Sequence, residues 1–229
     1  MGQHSLPGNP PVPLQLRTSA RARRISLRIS SLDGTVTLTR PRGVSERAAL
    51  AFAREKEAWL RGHLAQQDDA VAVGLGAVLP IEGVARQVVA GAGRRVVLGR
   101  DEVLVPGPED RVASRLLGFL KTHARSRLAE ASDRYAARLG RGYARLTLRD
   151  TRSRWGSCTA DGGLMYSWRL ILAPPEVLDY VAAHEVAHLQ EMNHSADFWA
   201  VVTRLHGPYE VQRRWLHREG AALHRIRFS

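Results

Sequence analysis

Hydrophobic residues recur with two different periods along this chain. Over residues 24–39 they alternate: Ile25, Leu27 and Ile29 lie between polar neighbours, and Val36 and Leu38 resume the pattern after Asp33-Gly34. Period two predicts two half-buried strands joined by a tight turn. Beyond the Pro41-Arg42-Gly43 break, Ser45 is placed to cap a helix whose face carries Phe52, Trp59, Leu60 and Leu64. Segments 77–81, 85–90, 95–98 and 102–105 again read as strands, punctuated by Gly and Pro. The period then becomes helical. Over 108–139, Val112, Leu116, Phe119, Leu120, Tyr135 and Leu139 form one stripe, and Gly140 ends it.

Two more strands are predicted at 145–150 and 163–172. Pro174-Pro175 opens a helix reaching about Met192, Ser195 caps another running to about Leu205, and a last one starts near Pro208. The pattern predicts an α+β protein in three parts. Residues 1–17, rich in Pro and Gly, read as a flexible leader. Residues 18–107 are a β-rich region with one helix, and 108–229 are the helix-rich remainder, with the boundary near residue 107.

Composition narrows the class. A chain of 229 residues with 44% hydrophobic content can bury a core without staples, which excludes disorder throughout. The single Cys158 excludes a disulfide scaffold and suits a reducing compartment. No apolar run approaches the roughly 18 residues of a membrane span, and the N-terminus lacks the pattern of a secretory signal. The expected location is cytoplasmic, with no membrane partner. The 34 basic and 22 acidic side chains leave a formal charge of +12. Such an excess favours a polyanion, so nucleic acid is a candidate partner. The arginines are nonetheless spread along the chain, and with abundant Ala, Gly and Val they also fit a GC-rich coding sequence.

The strongest chemical signal is His184-Glu185-Val186-Ala187-His188. On a helix the two histidines project from one face a turn apart and can bind one ion, for which Zn²⁺ is the natural choice. Glu185 is rotated about 100° around the helix. From there it can reach a metal-bound water as general base without being a ligand. Flanking residues such as Tyr180, Val181 and Leu189 are apolar, so the histidines would be desolvated unless an ion or another partner meets them. For a third ligand His194 fits best, with Glu191, Glu210 and Glu219 as alternatives. Arg152, Arg154, His206 and Tyr209 are chemically able to stabilise an oxyanion, and spacing does not choose among them.

Arg154-Trp155-Gly156-Ser157-Cys158, Trp168-Arg169-Leu170-Ile171, Asp179-Tyr180-Val181, the zinc motif with Leu189, Asn193-His194-Ser195 and Phe198-Trp199 follow one another in that order. Together they resemble the YgjP-like zinc metallopeptidases, a family related to the SprT-like proteases. The likeness is dense from about Arg115 to Leu216. It continues more diffusely through Ser26-Leu27-Arg28, Pro41 and the helix with Lys56, Trp59 and Leu60. It implies a minimal zincin-type catalytic domain with the β-rich half packed on it and a small sheet beside the active-site helix. It also implies one zinc on His184, His188 and His194, Glu185 as catalytic base, and a strand over 163–172 that pairs with an extended peptide. The extended metzincin pattern fails, because Glu191 stands where that group requires Gly. Trp155 and Cys158 are read as packing residues.

The function expected from the sequence is therefore a zinc-dependent peptidase acting on polypeptides. Two alternatives belong to other classes. One is a DNA-associated, SprT-like protease acting on DNA-bound proteins, which would need a basic surface such as Arg21, Arg23, Arg24 and Arg28 or Arg213, Arg214 and Arg218. The other is a non-catalytic zinc-stabilised binding module, against which an intact Glu185 argues. Oligomeric state is not legible.

Overall fold

The alternation of apolar and polar residues builds a sheet from the very start of the chain. In a computed structural model the structure describes residues 2–30, 34–65 and 70–228. Strands β1 (Gly2–Leu6) and β2 (Val12–Ser19) pair antiparallel; β3 (Ser26–Ile29) and β4 (Val36–Pro41) do the same. A parallel β2–β4 ladder completes the order β1-β2-β4-β3. The flexible leader expected over 1–17 is thus corrected to two strands. Val12, Leu14 and Leu16 point inward and are buried. Pro13 precedes the first residue of β2 that pairs with β4, so its missing N–H leaves that ladder intact. At the expected turn, Asp33 lies outside the described residues, and the Gly34 N–H donates to the Ser30 carbonyl at 2.9 Å.

The helix expected after Ser45 is two helices, α1 (Glu46–Glu55) and α2 (Glu57–Ala65). Ser45 caps the first through its Oγ, which accepts from the Ala48 N–H at 3.2 Å. Because the helix breaks at Lys56, its phase shifts. Trp59 is 44% exposed, while Ala49, Ala53 and Leu60 close the core beneath the sheet.

Residues 70–229 form a second unit with its own core. It starts with β5 (Val71–Ala72) and continues through β6 (Val78–Ile81), β7 (Val84–Gly91), β8 (Val97–Leu98) and β9 (Glu102–Pro106), the last four ordered β6-β7-β9-β8. A 28-residue helix follows, α3 (Val112–Leu139), closed by Gly140 in the left-handed conformation at φ +72°. Val112, Leu116, Leu120 and Tyr135 are buried as their spacing predicts. Next come β10 (Arg145–Arg149), β11 (Gly156–Cys158) and β12 (Gly163–Ser167), then α4 (Pro175–Ala187), α5 (Ala196–His206), α6 (Glu210–Leu223) and β13 (Ile226–Arg227). The last strand pairs with β5.

The boundary expected near residue 107 falls instead between Asp69 and Ala70. The reason is core membership. Leu79, Ile81, Val88, Val103 and Val105 pack into the same cluster as α3 and α4, whereas the apolar side chains of β1–β4 and α1–α2 form a cluster of their own. A change in composition from strands to helices does not mark a domain edge when both share one core. The architecture is α+β. Among the described residues, no helix is long and apolar enough to cross a membrane.

Candidate active site

Helix α4 is held in register on α3 by a polar anchor. The Asp179 carboxylate accepts hydrogen bonds from the Arg134 guanidinium and the Tyr135 hydroxyl. Burial, and the carboxylate it bonds, push that hydroxyl's pKa up to about 12, so it stays a donor. About a turn and a half later α4 presents His184 and Glu185, and His188 stands at its C-cap. The helix expected to reach Met192 therefore stops at Ala187. The chain tightens through Leu189–Glu191, where the His188 Nδ1 pairs with the Glu191 carbonyl at 2.9 Å. A hydrogen bond donated from Nδ1 fixes the ring and leaves the Nε2 lone pair for a ligand role.

The reversal brings His194 back over α4. Ser195 caps α5 by accepting from the Phe198 N–H at 3.3 Å, which sets the turn that carries His194. The nitrogens of His184, His188 and His194 all lie within 4.8 Å of one another, and His184 Nε2 and His194 Nε2 are 3.0 Å apart. Nitrogens that share one tetrahedral ion stand about 3.3 Å apart, from metal–nitrogen bonds of roughly 2.0–2.1 Å. The donor set fits such an ion.

Beneath the three rings lies Phe198, fully buried. It stacks on His188 with centroids 4.4 Å apart and meets the other two rings at 4.9 and 4.7 Å. Sequence reasoning placed Phe198 in a family motif but gave it no role at the site; its position three residues after the Ser195 cap was the available signal. Burial, then the neighbouring imidazoles and Arg213, pull His184 down to a pKa of about 3. His188 is also lowered, by burial first. Both rings are neutral at pH 7, the form in which imidazole binds a metal.

Glu185 is 5% exposed, and burial raises its carboxyl to a pKa of about 8, partly opposed by the Arg154 guanidinium. It rests against β11 at Gly156. A Cβ there would stand 2.5 Å from Glu185 Oε1 and 2.6 Å from its Cγ, so only glycine admits the carboxylate. With Glu185 as the base the sequence leads one to expect, Gly156→Ala is expected to displace it and to lower peptide cleavage about 10²-fold with metal content unchanged. Metal analysis beside a cleavage assay checks this, and equal activity would show that the carboxylate position is not critical.

The other candidates divide. Glu191 supplies only its backbone carbonyl. The Glu210 carboxylate accepts from the Tyr209 N–H, and that of Glu219 pairs with Arg218, so neither joins the histidine cluster. Tyr209 stacks on Tyr180 and Trp199, whose rings meet His184 at 5.9 and 5.6 Å. His206 meets the edge of Tyr180 on a cavity along α3 and α4, and Arg152 lines a different cavity. Trp155 packs on His224 at 5.0 Å, and Cys158 packs against the core. Burial and the Glu185 charge raise the Cys158 thiol to a pKa of about 11, so it is unreactive at neutral pH.

The strand expected over 163–172 needs correction twice. It ends at Ser167, because residues 168–172 turn into a 3₁₀ helix. It is also the central strand, paired with β10 on one side and β11 on the other, so its backbone has no free edge to offer a peptide. The edge strand that touches Glu185 is β11.

Three imidazoles converging on one point, with the buried Glu185 next to His184 on the same helix, form a candidate metal site with a proton acceptor on hand. This is the arrangement of a metal-dependent hydrolase. The model of the YgjP-like metallopeptidase domain matches residues 23–219, and the chain belongs to that family. Among solved structures, the crystal structure of the metallopeptidase zymogen of Pyrococcus abyssi abylysin is similar at 20% identity, over 42% of this chain and 93% of that one, with a TM-score of 0.34. No curated protein matches the chain.

Proposed function

We propose that the protein is a zinc-dependent peptidase of the zincin type, with one ion held by His184, His188 and His194 and with Glu185 as general base. The observation that carries this reading is the convergence of the three histidines on one point, with the buried Glu185 following the first of them on α4. A site that only held the fold together would need no buried acid. Zinc with three protein ligands supplies an open position for water and Lewis acidity toward the scissile carbonyl.

The chain's own groups do the rest. Edge strand β11 offers unpaired backbone to an extended polypeptide, which can add as a further strand and pass over Glu185. Glu185 takes the proton of the attacking water and delivers it to the departing amide nitrogen, so the peptide bond breaks without a free charged amine anion. Its burial keeps bulk water from competing for that proton. The exposed rim at His194 leaves the site open to a substrate. Of the four candidate donors, Arg154, whose charge acts on Glu185, and Tyr209, on the aromatic stack next to His184, are the ones suited to oppose charge developing on the carbonyl oxygen.

Metal removal tests the reading. Purified protein is expected to contain zinc, to lose cleavage of a peptide library on chelation, and to recover it when zinc is returned. Zinc-loaded protein that cleaves nothing would make a binding module the better description.

A further inference from the structure

A second cavity, of about 340 Å³, lies behind the three-stranded sheet. Its walls come from four segments that are remote in sequence. Lys121 projects from α3, Arg152 from the loop after β10, Arg169 from the 3₁₀ turn after β12, and His224 and Arg227 from the C-terminal segment. The one carboxylate on its surface, Asp150, is already committed to Arg169 through two hydrogen bonds of 2.6 and 3.1 Å. Beyond that pair, Lys121, Arg152 and Arg227 bring three more cations to the cavity and no further carboxylate. Among the described residues, neither Lys121 nor Arg227 has a carboxylate within salt-bridge distance. Like charges gathered around a hollow repel one another unless an anion enters it. The field is felt inside the wall: burial and then Arg169, Arg152 and Arg227 keep His224 down at a pKa of about 4, against the pull of Asp150.

The Trp168 ring, 1% exposed, lies on the same cavity. With Leu117 and Phe228 that ring supplies an apolar wall.

We infer that this cavity is a binding site for a phosphate group, free or carried on a small organic ester. A compact dianion with oxygens in four directions matches cations that approach from different sides, whereas a single carboxylate would meet only one of them well. The volume exceeds what phosphate alone fills, and the Trp168–Phe228 edge-on pair, with centroids 5.5 Å apart, gives an ester's remainder an apolar surface. The site is distinct from the histidine cluster and does not rest on the peptidase reading.

The test uses the full chain and the double variant Lys121→Gln/Arg227→Gln, which leaves the Arg169–Asp150 pair intact. Inorganic phosphate is expected to raise the unfolding temperature of the wild type well beyond sodium chloride of equal ionic strength, since a ligand that binds only the folded form stabilises it. Calorimetric titration is expected to show the double variant binding phosphate about tenfold or more weakly, a loss of roughly 1.4 kcal/mol. Phenyl phosphate distinguishes the sources: tighter binding than inorganic phosphate points to an ester, and equal or weaker binding to the free ion. Two results would overturn the inference. One is a shift in unfolding temperature that chloride reproduces; the other is undiminished phosphate binding by a folded double variant.

Discussion

Glu185→Gln is expected to reduce peptide cleavage about 10³-fold while leaving metal uptake and the fold intact, because a general base contributes roughly 10²–10⁴-fold. Glutamine preserves the shape against Gly156 but cannot accept and return a proton. The same substitution is expected to stabilise the metal-free protein. The wild-type carboxyl titrates near 4.5 when exposed and near 8 in the fold. Between those values the unfolded chain is ionised and the folded chain holds its proton, so stability falls as pH rises through that window and levels off above it. A shift of this size corresponds to about 5 kcal/mol, which a neutral amide does not forfeit. Urea unfolding of metal-free wild type and variant from pH 4 to 9 should show curves that diverge as pH rises. Parallel curves would mean that burial does not perturb Glu185. Retained cleavage would remove it as the base.

The pairing of lost activity with gained stability follows from one physical fact: a carboxylate useful as a base is placed where folding alone would not put it. That tension is also why the site was legible before the fold was. His184, Glu185 and His188 sit at spacings that only a helix turns into one constellation, and the apolar residues around them make unpartnered histidines costly. The long stripe from Val112 to Leu139 and its Gly140 stop were legible for the same reason, since 28 residues give a period time to declare itself. Strand β11 was not: three residues carry no periodicity, and its importance comes from what it touches. The strands β1 and β2 were hidden by the prolines around Val12, which signal a loose segment unless their ladder positions are known. The end of β12 at Ser167 could not be read either, because Trp168, Leu170, Ile171 and Leu172 are as apolar as a buried strand and are in fact all buried in a 3₁₀ turn.

That turn carries the residue whose loss should damage the fold most. Arg169, 8% exposed, donates to Asp150 with two nitrogens and to the carbonyls of Leu223 and Ile226 at 2.8 and 3.0 Å. Its guanidinium also lies 4.8 Å from the Trp168 ring centroid. One planar cation thus ties the end of α6 and strand β13 to the loop that leads from β10 into β11. Arg169→Met fills much of the same volume but leaves two carbonyls without their donor and Asp150 without its counter-charge. Breaking a buried pair in this way costs about 3–5 kcal/mol. The lower end applies here, because the Asp150 side chain is 48% exposed and water can partly replace the arginine. For a domain of this size the unfolding temperature is expected to fall by about 6–12 °C. Arg169→Lys keeps the charge but not the fork, so it is expected to recover less than half of the loss. Amide exchange should localise the damage, with the Val71 and Val73 N–H groups, which donate to Arg225 and Arg227, losing protection first. A variant as stable as wild type would mean that water satisfies those carbonyls unaided, and that the C-terminal segment is held by its apolar contacts alone.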